Sequence, residues 1–125
     1  MSLTKIEDRP MYFGSENYSQ EWITIEESDK VKTILDSYGD EQKRSIIYAV
    51  ATKPLTFPEI VKVCKMPLAT CHRKIHSLME GGLLVSEDGY SRIRSKRFRN
   101  AFKEIRINVK KDAIIVDARP RQTNF

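Results

Sequence analysis

The stretch Thr56-Phe-Pro-Glu-Ile-Val-Lys-Val-Cys-Lys-Met-Pro-Leu-Ala-Thr-Cys-His-Arg-Lys-Ile-His-Ser-Leu-Met-Glu-Gly-Gly-Leu-Leu-Val-Ser-Glu-Asp-Gly-Tyr-Ser-Arg-Ile-Arg94 decides the fold. It reads as a helix, a tight turn, a second helix and a two-stranded hairpin. Thr56 and Glu59 have the spacing of a capping box, in which each side chain serves the other's backbone N–H. Pro58 falls in the first turn, where a missing N–H costs nothing. Ile60, Val61 and Cys64 form an apolar stripe at helical spacing. Met66-Pro67 ends that helix, because a residue before proline avoids the α region. The second helix starts near Leu68 and buries Cys71, Ile75 and Leu78, at i, i+4 and i+7. Gly81-Gly82 ends it and supplies a residue for a left-handed cap. Leu83 to Ser86 then reads as a strand, Glu87-Asp88-Gly89 as a hairpin turn, and Tyr90 to Arg94 as the return strand.

The outward face of the second helix carries the functional signal. It holds Ala69, Thr70, Arg73, His76 and Ser77, with His72 on the flank. A helix that enters the major groove needs small residues for close approach and donors for base edges. An ordinary solvated face is the alternative, and such a face usually carries more Glu and Lys; none of these positions is acidic. On the return strand, Tyr90, Arg92 and Arg94 share one side, as alternation requires. A basic strand pair just after such a helix suits contact with phosphates.

These residues resemble winged helix-turn-helix regulators of the ArsR-like class. Ile34 to Tyr48, with its Leu35-Asp36 and Arg44-Ser45-Ile46-Ile47, resembles the start of that domain. Pro54-Leu55-Thr56-Phe57-Pro58-Glu59-Ile60 resembles the family's second helix. Pro67 to Ile75 resembles its recognition helix, and Glu80-Gly81-Gly82-Leu83-Leu84 the ending of that helix. The resemblance covers roughly residues 30–94. It implies an α+β fold: a winged helix-turn-helix domain of three to four helices and a two-stranded wing. It also implies a homodimer on double-stranded DNA, with the first helix a candidate interface. The expected DNA contacts are Thr56, Leu68, Ala69, Thr70, His72, Arg73, His76 and Ser77, with Tyr90, Arg92 and Arg94 from the wing. The recognition helix would span about 68–80 and the wing about 84–94.

Charge agrees with a polyanionic partner. The net charge is +5, but residues 61–111 hold thirteen Lys/Arg against four Asp/Glu, while residues 1–30 hold three against seven. The positive field therefore gathers on the second helix, the wing and the following strand. A membrane surface is a poorer match, because no basic amphipathic helix is present to lie on it. No apolar run approaches the roughly 18 residues of a membrane span. The first residues are mixed and charged rather than signal-like, so the cytoplasm is the expected compartment.

Around this domain the chain divides into an N-terminal arm (1–27), the winged domain (28–96), a C-terminal β-hairpin (97–118) and a tail (119–125). Tyr12, Phe13, Tyr18 and Trp22 are many aromatics for a free arm, so some are expected to dock. Ser28 is placed to cap a helix through Val31, Ile34, Leu35 and Tyr38, ended by Gly39; Asp40 is placed to cap the next, with Ile46, Ile47 and Val50 inward. Ile105, Ile107 and Val109 alternate with Glu104, Arg106 and Asn108, and Ala113 to Ala118 returns. This hairpin departs from the helix that often ends the family's domain.

The remaining chemistry is thin. Cys64 and Cys71 fall on the apolar faces of adjacent helices, as small buried hydrophobes; a redox pair is the alternative and needs an exposed, low-pKa thiol. The family's metal-sensing members use a Cys-x-Cys pair, which is absent here. His72 and His76 have metal-ligand spacing, but Arg73 stands where the zinc-protease motif has its glutamate. No phosphate loop, nucleophile–base pair or paired carboxylates emerge. No cofactor, metal or enzymatic activity is expected. A winged helix that binds a protein or single-stranded nucleic acid within a transcription assembly is the second reading.

Overall fold

The computed structural model describes residues 21–87 and 96–121. In chain order the elements are β1 (Ile23–Ile25), α1 (Ser28–Tyr38), α2 (Glu41–Ala49), β2 (Leu55–Thr56), α3 (Phe57–Cys64), α4 (Leu68–Glu80), β3 (Leu84–Glu87), β4 (Arg97–Asn100), β5 (Phe102–Val109) and β6 (Ile114–Pro120). They form two units. Residues 25–101 make the helical unit, and the two flanks of the chain make the other.

In the helical unit, local chemistry sets the helix boundaries. The Asp40 carboxylate accepts from the N–H groups of Gln42 (2.9 Å) and Lys43 (3.0 Å) and starts α2. Thr56 and Glu59 form the expected capping box: Thr56 N–H donates to Glu59 Oε1 at 2.8 Å, and Glu59 N–H to the Thr56 hydroxyl at 3.3 Å. Ser28 does not cap α1. The Val31 N–H donates to the Glu27 carbonyl at 3.0 Å, so the helix begins one residue earlier than expected and Glu27 holds the cap position without a side-chain bond. Lys65 ends α3 in the left-handed region, at φ 54°. Gly82 does the same after α4, at φ 80°, and Leu83 N–H reaches back to Leu78 C=O at 3.0 Å. That six-to-one bond is the mark of a left-handed helix ending.

The core of this unit is built from Ile34, Ile46, Ile47, Val50, Leu55, Ile60, Cys71, Ile75, Leu78, Leu83, Leu84 and Phe98, all buried. The stripe read on α4 is the one it buries. The wing differs from expectation. β3 pairs with β4, farther along the chain than the return strand expected: Leu84 faces Asn100 and Glu87 faces Arg97. Two buried residues hold that register. Phe98 enters the core, and Asn100 donates from Nδ2 to the Ile47 carbonyl at 3.2 Å. The Asp88-Gly89 turn and the strand expected at Tyr90–Arg94 lie outside the described residues. β2 adds a third strand, in the order β2-β4-β3, with Leu55 opposite Phe98.

The second unit is a three-stranded sheet in the order β1-β6-β5. The hairpin expected near the C-terminus is present, from Phe102↔Pro120 to Val109↔Ile114, with a bulge between Phe102 and Glu104. The third strand, β1, was not anticipated. It brings in Trp22, one of the aromatics expected to dock: the Arg106 guanidinium lies 3.8 Å from the indole centroid, and that of Arg119 lies 5.1 Å away. Thr24 Oγ1 donates to the Asp117 carboxylate at 2.7 Å. Tyr12, Phe13 and Tyr18 lie outside the described residues.

Candidate nucleic-acid interface

α4 has three sides with different neighbours. The inner side, Cys71, Ile75 and Leu78, is buried. One flank is tied to α2 by two lysines. Lys74 Nζ donates to Asp40 Oδ2 at 2.6 Å, and Lys43 Nζ to Ser77 Oγ at 2.8 Å. The same Asp40 also caps α2, so one carboxylate fixes both the start of α2 and the roll of α4. The hydrogen bond from Lys74, with the two capping N–H groups, holds its pKa below the usual carboxylate value.

The third side is open. Leu68, Ala69, His72, Arg73 and His76 are exposed; Leu68 keeps 64% of its surface. Arg73 makes no hydrogen bond or ion pair with the described residues. His76 Nε2 lies 3.2 Å from Glu80 Oε2. The His72 ring meets Phe57 edge to face, with centroids 5.9 Å apart. Pro67 caps α4 without a side-chain bond, and no acid occupies its first turn. No side chain of the first turn therefore offsets the positive end of the helix.

Three of the expected contacts stand differently from their neighbours. Ser77 is half-buried and engaged by Lys43, so it faces α2 rather than outward. Thr70 is half-buried. Thr56 is half-buried, and its hydroxyl accepts the capping bond of α3. Tyr90, Arg92 and Arg94 lie outside the described residues. The structure adds cations that the helix-face reading passed over. Lys62 on α3, Lys65 just after it, and Lys96 beside β4 are exposed. Arg99 of β4 is engaged by Glu87 at 3.1 Å. The charge tally of residues 61–111 was the signal for all four, but it gives no direction to any side chain.

The two cysteines are free; Cys71 is fully buried and Cys64 half-buried. Burial pushes both thiols up, and Cys64 raises Cys71 further. That opposes thiolate chemistry at this pair. Among the described residues no group of three or more His, Cys, Asp or Glu side chains could hold a metal ion. None of the described helices is long and apolar enough to cross a membrane.

A helix pair, an open second helix and a following strand pair share one small core. The chain matches the homodimeric winged helix-turn-helix DNA-binding domain of Mb0332 from Mycobacterium bovis, described as a possible ArsR-family transcriptional regulator, with a TM-score of 0.52 at 20% identity. The fold is a winged helix-turn-helix. That match covers 59% of this chain and 66% of the Mb0332 domain. HlyU from Vibrio cholerae matches with a TM-score of 0.52 at 14% identity, over 58% of this chain and 76% of its own. The ArsR family transcriptional regulator RHA00566 matches with a TM-score of 0.51 at 19% identity, over 60% and 74%. No family model matches the sequence, and none of the curated proteins compared with it matches significantly.

Proposed function

We propose that this protein is a sequence-specific, DNA-binding transcriptional regulator that acts as a homodimer. α4 enters the major groove, and the arm joining β3 to β4 lies on the phosphates. The observation that carries this reading is the division of labour on α4. The lysines at 43 and 74 are used to fix the helix, while Arg73, flanked by Leu68, Ala69 and His72, is left exposed and unengaged among the described residues. An arginine in that position can take a guanine edge with two hydrogen bonds, and small or apolar neighbours can meet thymine methyl groups. The fold shared with the Mb0332 domain, itself described as homodimeric and DNA-binding, supports the same reading.

The test is selection of bound duplexes from a random pool by the purified protein, with its mass in solution measured alongside. Enrichment of an inverted repeat bound by a dimer supports the proposal, since two-fold proteins select two-fold sites. No enrichment, with weak and salt-sensitive binding to any duplex, refutes it in favour of a module that binds a protein or single-stranded nucleic acid.

A further inference from the structure

β5 is the outer strand of its sheet. One edge pairs with β6; among the described residues no strand pairs with the other. The hairpin shows which groups face that open edge. Lys110 N–H donates to Ala113 C=O at 2.7 Å, so Lys110 is turned toward β6. Backbone direction alternates along a strand. Asn108, Arg106 and Glu104 therefore also face β6, and Ile105, Ile107 and Val109 turn their N–H and C=O groups outward. Their side chains share one face with Ala118, Val116 and Ile114, which lie opposite them. Val116 and Ala118 are fully buried, yet Val109 is 76% exposed and Ile114 44%. An edge that is apolar and, among the described residues, unpaired is one that proteins ordinarily protect.

We propose that a second copy of this chain covers it: β5 pairs antiparallel with β5 of the other copy, about a two-fold axis at Ile107. The inference rests on the homodimer of the proposed function and names its interface. Charge and face select the register. A two-fold axis at Arg106 sets two arginines directly opposite each other. An axis at Ile105 sets the bulge at Lys103 opposite Ile107, where the regular ladder is broken. An axis at Ile107 sets Ile107 on itself and Val109 on Ile105 of the second copy. On the other face it sets Arg106 against Asn108, and it adds Lys110 of the second copy to Glu104, whose carboxylate already accepts from Arg119 at 2.8 Å. Only the last register keeps one face apolar and brings opposite charges together. Its outward-facing residues exchange about six backbone hydrogen bonds in three pairs.

Cross-linking of the full chain tests the register, and sedimentation tests the surface. Facing Cα atoms in such a pair lie about 5.5 Å apart, within the span of a disulfide. The Ile107→Cys variant should oxidise to a covalent dimer. Val109→Cys, although more exposed, should not, because the two copies of that residue are offset by four positions, roughly 14 Å along the strands. The wild-type chain gives the background from Cys64 and Cys71. Val109→Lys should raise the dimer dissociation constant at least about tenfold, since the change counts twice at a two-fold interface. Its exposure leaves the fold intact, which circular dichroism checks. Equal cross-linking of both cysteine variants overturns the register. A dimer that survives Val109→Lys, with no cross-link through Ile107→Cys, overturns the interface while the duplex selection still returns an inverted repeat. A wild-type chain that stays monomeric at high micromolar concentration overturns the interface and the homodimer together.

Discussion

Two residues carry distinct expectations. Arg73→Ala should cost about 1–3 kcal/mol in binding to the selected duplex and relax its preference at one base position. Competition binding against a randomised set measures both; an unchanged preference removes Arg73 from base readout. Lys65 is different in kind. It holds a left-handed backbone at φ 54°, a conformation that costs a side-chain-bearing residue about 1–2 kcal/mol. Glycine relieves this but loses more backbone freedom on folding. Lys65→Gly should therefore stabilise the domain by roughly 0.5–1 kcal/mol in urea denaturation. Neither the strain at Lys65 nor the inward turn of Ser77 could be read from spacing. Met66-Pro67 announces that α3 ends, but not that the residue before it takes the left-handed turn. Ser77 lies where helical projection places an outward residue. Its direction is decided by Lys43, 34 positions away, and no local pattern encodes that partner.

At the scale of elements, the helices were legible because their signals are local. The stripe Cys71, Ile75, Leu78, the Thr56–Glu59 box and the glycines after α4 all act within one or two turns. β4 was not legible because its register is decided elsewhere, by Phe98 entering the core and Asn100 reaching Ile47. The Asp40 junction between α2 and α4 gives a prediction of its own. Asp40→Asn retains a competent cap but removes the charge that Lys74 holds. Folding lowers the pKa of Asp40, so the unfolded chain takes up its proton first as pH falls. The stabilisation is thus fully present above the ordinary carboxylate range and is lost as pH drops through the folded value. The wild type should be more stable than Asp40→Asn at neutral pH, and the two should converge in acid. Denaturation midpoints between neutral pH and about pH 2–3 measure this, and a constant gap would show that Asp40 acts through shape alone.

The whole molecule is basic along residues 61–111 and neutral or acidic elsewhere, and that asymmetry predicts how binding responds to salt. Duplex affinity should fall linearly with the logarithm of salt concentration, with a slope close to 0.9 per phosphate neutralised. Arg92→Ala should flatten the slope by about one contact and weaken all sequences alike; an unaltered slope would exclude it from the backbone. The sign of this asymmetry was readable in the sequence, whereas the joining of both flanks into one sheet was not, because β1 is only three residues long and has no period to recognise. That sheet has a consequence for the order of synthesis. Thr24 and its partner Asp117 are 93 residues apart, with the helical unit between them. At about 5–20 residues per second, a ribosome would deliver β1 roughly 5–20 s before β6 exists to receive it. The helical unit can close around its own core in that interval, while the nascent strand that precedes it in the chain waits unpaired. The sheet should therefore be the last part of the newborn chain to resist a protease, and ribosome-stalled chains ending before β5 should be cut near Ile23 while the helices survive.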